Sequence, residues 1–452
     1  MNTQYFKIRG GTMQFTKKSI RFVLFLFTLL FSTQSFAATY VVTETDDNTD
    51  ACSSGTDCSL RAAITAANAS ATFDVIWLPA GTFSLTLGDL EITDHVAIFG
   101  AGADHTVIED TTGERVFTAT GPESYDLDGD ETVDNVFVWL RDLGVENGDD
   151  SSGSGGGGIF ASSVDLVLMR VAISDNITDE NGGGIYSTEG NLTLDRVAVS
   201  YNVAEGSGGG VYFSTTASHS LNIVNSTISE NEANEQGGGI FVDGGTTEIT
   251  YADIAYNILL ESIASSDDAD GGAGIFAEYG SDVTFKASII MGNTHDSYAQ
   301  DCAGGTYSDY PEQDFDSDGY NYLGTDHNCS FNSLGSGTPW DFVDYGTFTL
   351  NTLGDNGGPT YTHEIGNTQT PYNCAEQSGG CVDIDLDDVF TDQRGAPRPY
   401  NTACDIGSYE HCEDDFLPSG VTKRYVAQSA YSDYAHGGGH SHSIWVPEFF
   451  GP

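Results

Sequence analysis

The sequence predicts an all-β chain, a right-handed parallel β-helix (solenoid) with a short N-terminal capping helix and a small disulfide-containing C-terminal module. Three observations predict it. A glycine run followed by an apolar residue opens five successive units, with Ile159, Ile185, Val211, Ile240 and Ile275 as phase markers at intervals of 26, 26, 29 and 35 residues. Internal repeats of that length mark solenoids. Between the markers lie short alternating segments such as 191–199 (NLTLDRVAV), whose period of two is a strand signature. Each unit then closes on a recurrent Asn: Asn176, Asn202, Asn231, Asn257 and, more loosely, Asn293. No unit carries a long apolar stripe at helical spacing, which disfavours leucine-rich, ankyrin and tetratricopeptide repeats. The glycines supply tight turns, and the Asn side chains suit an inward ladder in which each amide bonds its counterpart one coil away. Stacked parallel strands joined in the favoured hand give the right-handed helix. The five markers are therefore expected to line one interior column.

Residues 1–37 read as a secretory signal. Lys7, Arg9, Lys17, Lys18 and Arg21 precede the apolar run Phe22–Phe31, and Ser35-Phe36-Ala37 is a small-x-small cleavage site. The apolar run is short for a bilayer span, so an uncleaved anchor is disfavoured. Met13 is an alternative start. The whole chain has 15 Lys plus Arg against 67 Asp plus Glu. Five of the basic residues lie in the signal, so the mature part has ten against 67, a net charge near −57. Such a field repels nucleic acid and anionic membranes and favours divalent cations. Abundant Phe, Tyr and β-branched residues argue for a packed core rather than disorder. Eight cysteines, all after the signal, fit an oxidising compartment. The expected location is extracellular or the outer cell surface, with no transmembrane segment after signal removal.

Residues 38–70 form a first strand and the cap. Cys52 and Cys58 bracket a short loop, Ser59 is a good N-cap, and Leu60, Ile64 and Ala67 fall on one face of a short helix. That helix covers the open end of the first coil. Arg61 reads as a structural pin for the cap rather than a catalytic group. The β-helix is expected over 71–365, a closing module over 366–412 at its far end, and a polar tail over 413–452. His436, His440 and His442 in that tail could gather a transition metal, but their glycine-rich setting favours a plain tail.

The motif Cys58-Ser59-Leu60-Arg61-Ala62-Ala63-Ile64 resembles the signature of the CSLREA-domain proteins, with Ala62 where that family has Glu. The segments 78–83 (LPAGTF), 98–102 (IFGAG) and 141–148 (RDLGVENG) resemble coils of pectate-lyase-like β-helices. The segments 353–363 (LGDNGGPTYTH), 392–399 (DQRGAPRP) and 404–410 (CDIGSYE) resemble the closing module of the same bacterial secreted proteins, often grouped as choice-of-anchor domains. The resemblance spans roughly residues 39–410 and implies architecture, not a reaction.

Two acidic clusters interrupt the coils. Asp126, Asp128, Asp130 and Asp134 stand at positions 1, 3, 5 and 9 of one segment; Asp314, Asp316 and Asp318 repeat the 1, 3, 5 spacing. Alternate carboxylates beside a glycine suit calcium, though the places of an EF-hand's closing Glu hold Phe137 and Thr325. A solvated acidic turn is the competing reading. Among the remaining cysteines, sequence neighbours are the natural partners: Cys302 with Cys329, Cys374 with Cys381, and Cys404 with Cys412. Cys381 with Cys404 stays open, as eight cysteines allow many pairings.

For function, the sequence favours a non-catalytic, adhesin-like scaffold that binds carbohydrate, surface proteins or calcium. The alternative is a calcium-dependent polysaccharide lyase or glycoside hydrolase acting on an acidic polysaccharide. A lyase needs a basic side chain, and Arg170, Arg196 and Lys286 each lie eleven residues after a marker, so they are expected to stack on one face. A hydrolase needs converging carboxylates, for which Asp165, Asp195 and Asp253 are candidates.

Overall fold

A computed structural model describes residues 38–50, 52, 58–70, 72–121, 135–151, 153–216, 219–260, 271–295, 298–304, 315–324, 341, 348–365, 381–398 and 404–410; at 3–8, 11–16, 331–333 and 342–343 only strand pairing is described. Within residues 1–37 that leaves one antiparallel pairing, Thr3–Ile8 with Gly11–Thr16, so the signal reading lies outside the described residues. Among the described residues no helix is long and apolar enough to cross a membrane.

The chain winds into a right-handed parallel β-helix whose coils each contribute up to three main strands. The first row runs from Thr39–Val41 through Asp74–Trp77, Val96–Phe99, Leu192–Asp195 and Asp282–Lys286 to Phe331–Ser333. The second row runs from Gly81–Leu85 through Ala198–Ser200 and Asp253–Ala255 to Phe342–Val343. Two strands, Val136–Glu146 and Val164–Ser174, span the corner and serve both rows. The third row holds the markers: Ile159, Ile185, Val211, Ile240 and Ile275 pair in unbroken register and are at most 1% exposed. One face of every strand is thereby committed to a single apolar core.

The recurrent Asn residues do what their spacing predicts. Nδ2 of Asn176, Asn202, Asn231 and Asn257 each donates to Oδ1 of the next coil's Asn at 2.9 Å, and Asn293 ends the series on Asp301 at the same distance. The same amides cap backbone carbonyls inside the core, as Asn231 does for Val199 (3.0 Å). The glycine triplets make room for this ladder. Gly208 takes a left-handed φ of +71°, and a Cβ on Gly210 would crowd the Asn231 amide at 3.0 Å.

The cap forms as expected. Helix Leu60–Asn68 begins at Ser59, whose Oγ accepts from the Ala62 N–H (3.1 Å), and buries Leu60, Ala62, Ala63, Ile64 and Ala67. Arg61 is the pin. It holds Asp47 at 2.6 and 3.1 Å and donates to the carbonyls of Gly88 and Asp89. Cys52 is bonded to Cys58.

The far half departs from expectation in two ways. The last described parallel strand is Phe342–Val343, and the described residues 348–365, 381–398 and 404–410 do not cap the end of the rod near 365. They lie along its flank. Gln393 donates to the Val197 carbonyl (3.2 Å), Thr227 donates to Gln393 (2.8 Å), Tyr256 donates to the Leu350 carbonyl (3.1 Å), and Gly407 N–H reaches the Ala287 carbonyl (2.8 Å). A flank offers more surface than an end, and Tyr251, Ala255, Ile289 and Tyr322 form a second apolar cluster with Phe348, Leu350 and Ile365. The disulfide pairing also differs from the neighbour rule. Cys381 is bonded to Cys404, which excludes both Cys374–Cys381 and Cys404–Cys412. Cys302 is disulfide-bonded as well; Cys329, Cys374 and Cys412 lie outside the described residues.

Replacing Asn231 by Ala takes the acceptor from the Asn202 backbone N–H and strips one bond each from the Asn202 side-chain amide, the Val199 carbonyl and Asn257 Oδ1 in the core. Each buried unsatisfied group costs about 1–3 kcal/mol. Urea unfolding should show a loss of about 4 kcal/mol; a loss below about 1 kcal/mol would mean the ladder is dispensable.

Candidate functional site

Alternation along the corner-spanning strand Val136–Glu146 turns Val138 and Leu140 inward and Phe137, Trp139 and Arg141 outward. Trp77, Phe99 and Arg141 occupy consecutive coils of one column. The result is an outward-facing aromatic strip that is exposed at Trp77, buried at Phe99 and half-buried at Trp139. Trp77 and Phe99 meet edge to face at 5.1 Å, Phe99 and Trp139 at 4.9 Å, and the Arg141 guanidinium lies 4.0 Å over the Phe99 ring. Trp77 stays 43% exposed, which is unusual for so large a ring in a well-packed solenoid. Trp139 Nε1 is shielded from solvent without a hydrogen-bond partner.

A charged column continues the strip along the axis. At the corner, Asp142, Arg170 and Arg196 take left-handed φ values of 56°, 53° and 58°. Arg170 grips Asp142 at 2.5 and 2.6 Å, Arg141 lies 3.1 Å from the same carboxylate, and Arg196 holds Asp195 at two 3.1 Å contacts. Burial pushes the Arg141 guanidinium down; Asp142 pulls it back up and Arg170 lowers it further. Asp195 raises Arg196. Three guanidinium groups against two carboxylates make this corner locally cationic on a chain of net charge −52.

On the second row, Glu146 lies in register with Glu109 one coil away. Glu109 accepts from Ser84 Oγ (2.7 Å). Burial raises Glu146, and the Asp175 and Glu109 charges add to it.

The candidate bases do not form one column. Arg170 and Arg196 are in adjacent register positions, but Lys286 pairs with Thr250, in the column of Met169 and Asp195. The coil from Ile275 carries one extra residue before the corner, so an equal count of eleven lands one position short. Lys286 is 3% exposed, ion-paired to Asp318 at 3.0 Å and donating to the Asp383 carbonyl at 3.0 Å. The candidate carboxylates do not converge either. Asp165 accepts from Asn135 and Asn191, and Asp195 lies four residues beyond Asn191 along its strand, roughly 13 Å at about 3.3 Å per residue. Asp253 is fully buried under the flanking module. Asp126, Asp128, Asp130, Asp134 and Asp314 lie outside the described residues, as do His436, His440 and His442. Asp316 is on the strand Phe315–Ser317, and Asp318 follows it against Lys286. Among the described residues no group of three or more His, Cys, Asp or Glu is disposed around a metal position.

The module seals its face of the rod with buried polar pairs. Asp253 accepts from Ser408 Oγ (2.6 Å) and N–H (3.1 Å). Burial pushes its carboxyl up to about 7, against the pull of the Ser408 bonds and Arg398. His363 donates from Nδ1 to the Asn351 carbonyl (2.6 Å) and accepts at Nε2 from Ser229 (2.8 Å). Burial holds it down at about 4.

No protein-family model matches the sequence, and no curated protein is significantly similar to it. Among solved structures, the pectate lyase Pel9A is 13% identical with a TM-score of 0.46, covering 84% of this chain and 98% of that one. A pectin methylesterase solved with a hexasaccharide is 10% identical with a TM-score of 0.29, covering 69% and 94%. The ORF18 protein of Geobacillus virus E2 is 14% identical with a TM-score of 0.35; this chain covers 65% of its length, and 76% of this chain is covered. At these identities and TM-scores no residue correspondence follows from them.

The sign of the pH response follows from the two buried groups. Asp253 is raised from 3.8, so its contribution is full below that pH and lost as pH rises to about 7. His363 is lowered from 6.5, so its contribution is full above 6.5 and lost as pH falls to about 4. The two oppose each other across the same window. In Asp253→Asn only the His363 slope remains, and its stability relative to the parent should rise steadily from pH 4 to 7 and then level off. A difference independent of pH in urea unfolding would sink this assignment.

Proposed function

We propose that the chain is a secreted β-helix that binds an anionic polysaccharide along the strip from Trp77 through Phe99, Trp139 and Arg141 to Arg170 and Arg196. The observation that carries this reading is the exposed Trp77 ring, continuing through buried Phe99 and half-buried Trp139 into the locally cationic corner. Sugar rings stack on aromatic faces, and guanidinium groups bridge carboxylates and hydroxyls with two donors. The negative field of the remaining surface would steer an anionic chain to this corner and away from the rest. Trp139→Ala should weaken binding to polygalacturonate or alginate by about tenfold in isothermal titration, with the far-ultraviolet spectrum unchanged. Parent-like affinity would remove the strip from the site.

A hydrolase is the second reading, favoured by the Glu109 and Glu146 pair. The two stand on adjacent coils roughly 4.8 Å apart at the backbone. One carboxyl raised beside another that is hydrogen-bonded is the arrangement that separates acid from nucleophile. Reducing-sugar release lost in both Glu109→Gln and Glu146→Gln would establish it; no release by the parent on any acidic polysaccharide would end it. The lyase bases expected from sequence fit less well, since Arg170, Arg196 and Lys286 are each engaged in an ion pair with a carboxylate.

Calcium at Asp126, Asp128, Asp130 and Asp134, and at Asp314, Asp316 and Asp318, belongs to this proposal on spacing alone. Binding to the folded state raises the melting temperature with calcium. An equal midpoint in chelator and in millimolar calcium would remove it. Membership of the CSLREA and choice-of-anchor group, and surface attachment, rest on the motif residues and are proposed with it.

A further inference from the structure

Resting on the reading of the strip as a polysaccharide site, we infer that the flanking module makes the strip blind at one end, so that the protein engages chain termini rather than chain interiors. The strip runs parallel to the helix axis. From Trp77 to Arg196 it crosses four coil steps, roughly 19 Å at about 4.8 Å each. Beyond Arg196 its path meets the module. Thr360 Oγ1 bonds the Arg196 carbonyl (3.3 Å), and Gln393 bonds the neighbouring Val197 carbonyl (3.2 Å).

Burial along the second row marks where the wall stands. Ala172 and Ser174 are half-buried, Ala198 and Ser200 are 3% and 5% exposed, and Thr227, Ser229 and Asp253 are 0% exposed. Those outward-facing positions are the same from coil to coil, so the change comes from the module and not from the alternation. The wall is anchored through side chains with no solvent exposure, namely Asp253 with Ser408, Thr227 with Gln393, and Ser229 with His363. In the strip's own columns Val224 is still half-buried, but Asn225, Thr250, Tyr251 and Lys286 are 2%, 2%, 0% and 3% exposed, so a chain lying on the strip is stopped within two coils of Arg196. At the other end Trp77 and Val41, its neighbour in register, are 43% and 59% exposed, so the path is open there among the described residues.

The wall also offers something to bind. Tyr361, on the module, is 52% exposed, and Tyr201, at the outer edge of the last uncovered coil, is 45% exposed. Tyr361 follows Thr360, which bonds the Arg196 carbonyl, so it brings one aromatic ring beside the Arg196 and Asp195 pair at the closed end, with Tyr201 roughly 16 Å farther along the coil. That chemistry suits a terminal sugar, whose extra hydroxyl or hemiacetal an internal residue lacks.

The test uses the full mature chain and polygalacturonate. One sample is left long and one is cut by mild acid to chains about a tenth as long. If termini are engaged, protein bound at saturation per gram should rise about tenfold on cutting, following the number of ends. Equal capacity per gram for both samples means internal binding and overturns the inference while leaving the polysaccharide reading intact. No binding to either sample, or to alginate cut in the same way, overturns both. Tyr361→Ala, a surface change, should lower affinity for the short chains about tenfold while capacity still follows chain ends. Unchanged affinity in that variant overturns the assignment of the closed end.

Discussion

Everything in this molecule depends on the parallel register between successive coils. Once Ile159 lies on Ile185, and so on to Ile275, each coil buries its predecessor's edge and presents its own to the next. The Asn ladder is what makes slippage expensive. A one-residue shift would turn the inward strand faces out and leave a line of amides and carbonyls unpaired in an apolar interior. The left-handed corner residues follow from the same register. Asp142, Arg170, Arg196, Asn225 and Tyr251 all have positive φ because the chain must turn at the same place in every coil. Non-glycine residues bear that local cost only where the surrounding array determines the backbone.

A register of this kind makes columns, and columns are where the surface chemistry appears. Phe160, Tyr186, Tyr212, Phe241 and Phe276 stack at 4.8 to 5.7 Å as a direct consequence of pairing. Burial with this stack pushes the Tyr212 hydroxyl up to about 12, and the Tyr186 and Asp243 charges add to it. The Trp77, Phe99 and Arg141 strip arises in the same way on another face. It differs in leaving ring surface exposed and in ending on guanidinium groups. The strip leaves Trp77 43% exposed, whereas Phe241 and Phe276 bury one end of the stack at 6% and 2%.

The flanking module changes what the rod can do. A bare β-helix presents the same groove along its length, so a polymer can lie on it in any axial position. Residues 348–365, 381–398 and 404–410 dock against the coils from Arg196 onward and cover one flank of the rod. The interface is polar as well as apolar, built from Asp253, His363, Gln393 and two buried ion pairs, Arg394 with Asp392 and Arg398 with Glu410. Buried groups of this kind add little net stability but penalise every misaligned docking, which is how one flank comes to be chosen over others. Gly407 shows how tight the fit is. It takes a φ of +80° and lies so close to the Asp253 carboxylate that a side chain there would collide.

The sequence by itself determined whatever repeats. The coil period, the interior Ile column, the Asn ladder, the Ser59-capped helix and the Arg61 pin were all legible, because their partners lie a fixed number of residues away or within one turn. The outward direction of Trp139 was equally legible from its place between Val138 and Leu140, but the strip it joins was not, since the long segment before Asn135 breaks the count to Phe99 and Trp77. Only the tertiary structure decided the rest. Lys286 left the column of Arg170 and Arg196 because one added residue in a turn shifts every count by one while leaving the pattern intact. The pairing of Cys381 with Cys404 and the contacts of Ser408 with Asp253 and of Gln393 with Val197 reach across 23, 155 and 196 residues. No period carries that information; shape and buried polar complementarity between two finished surfaces do.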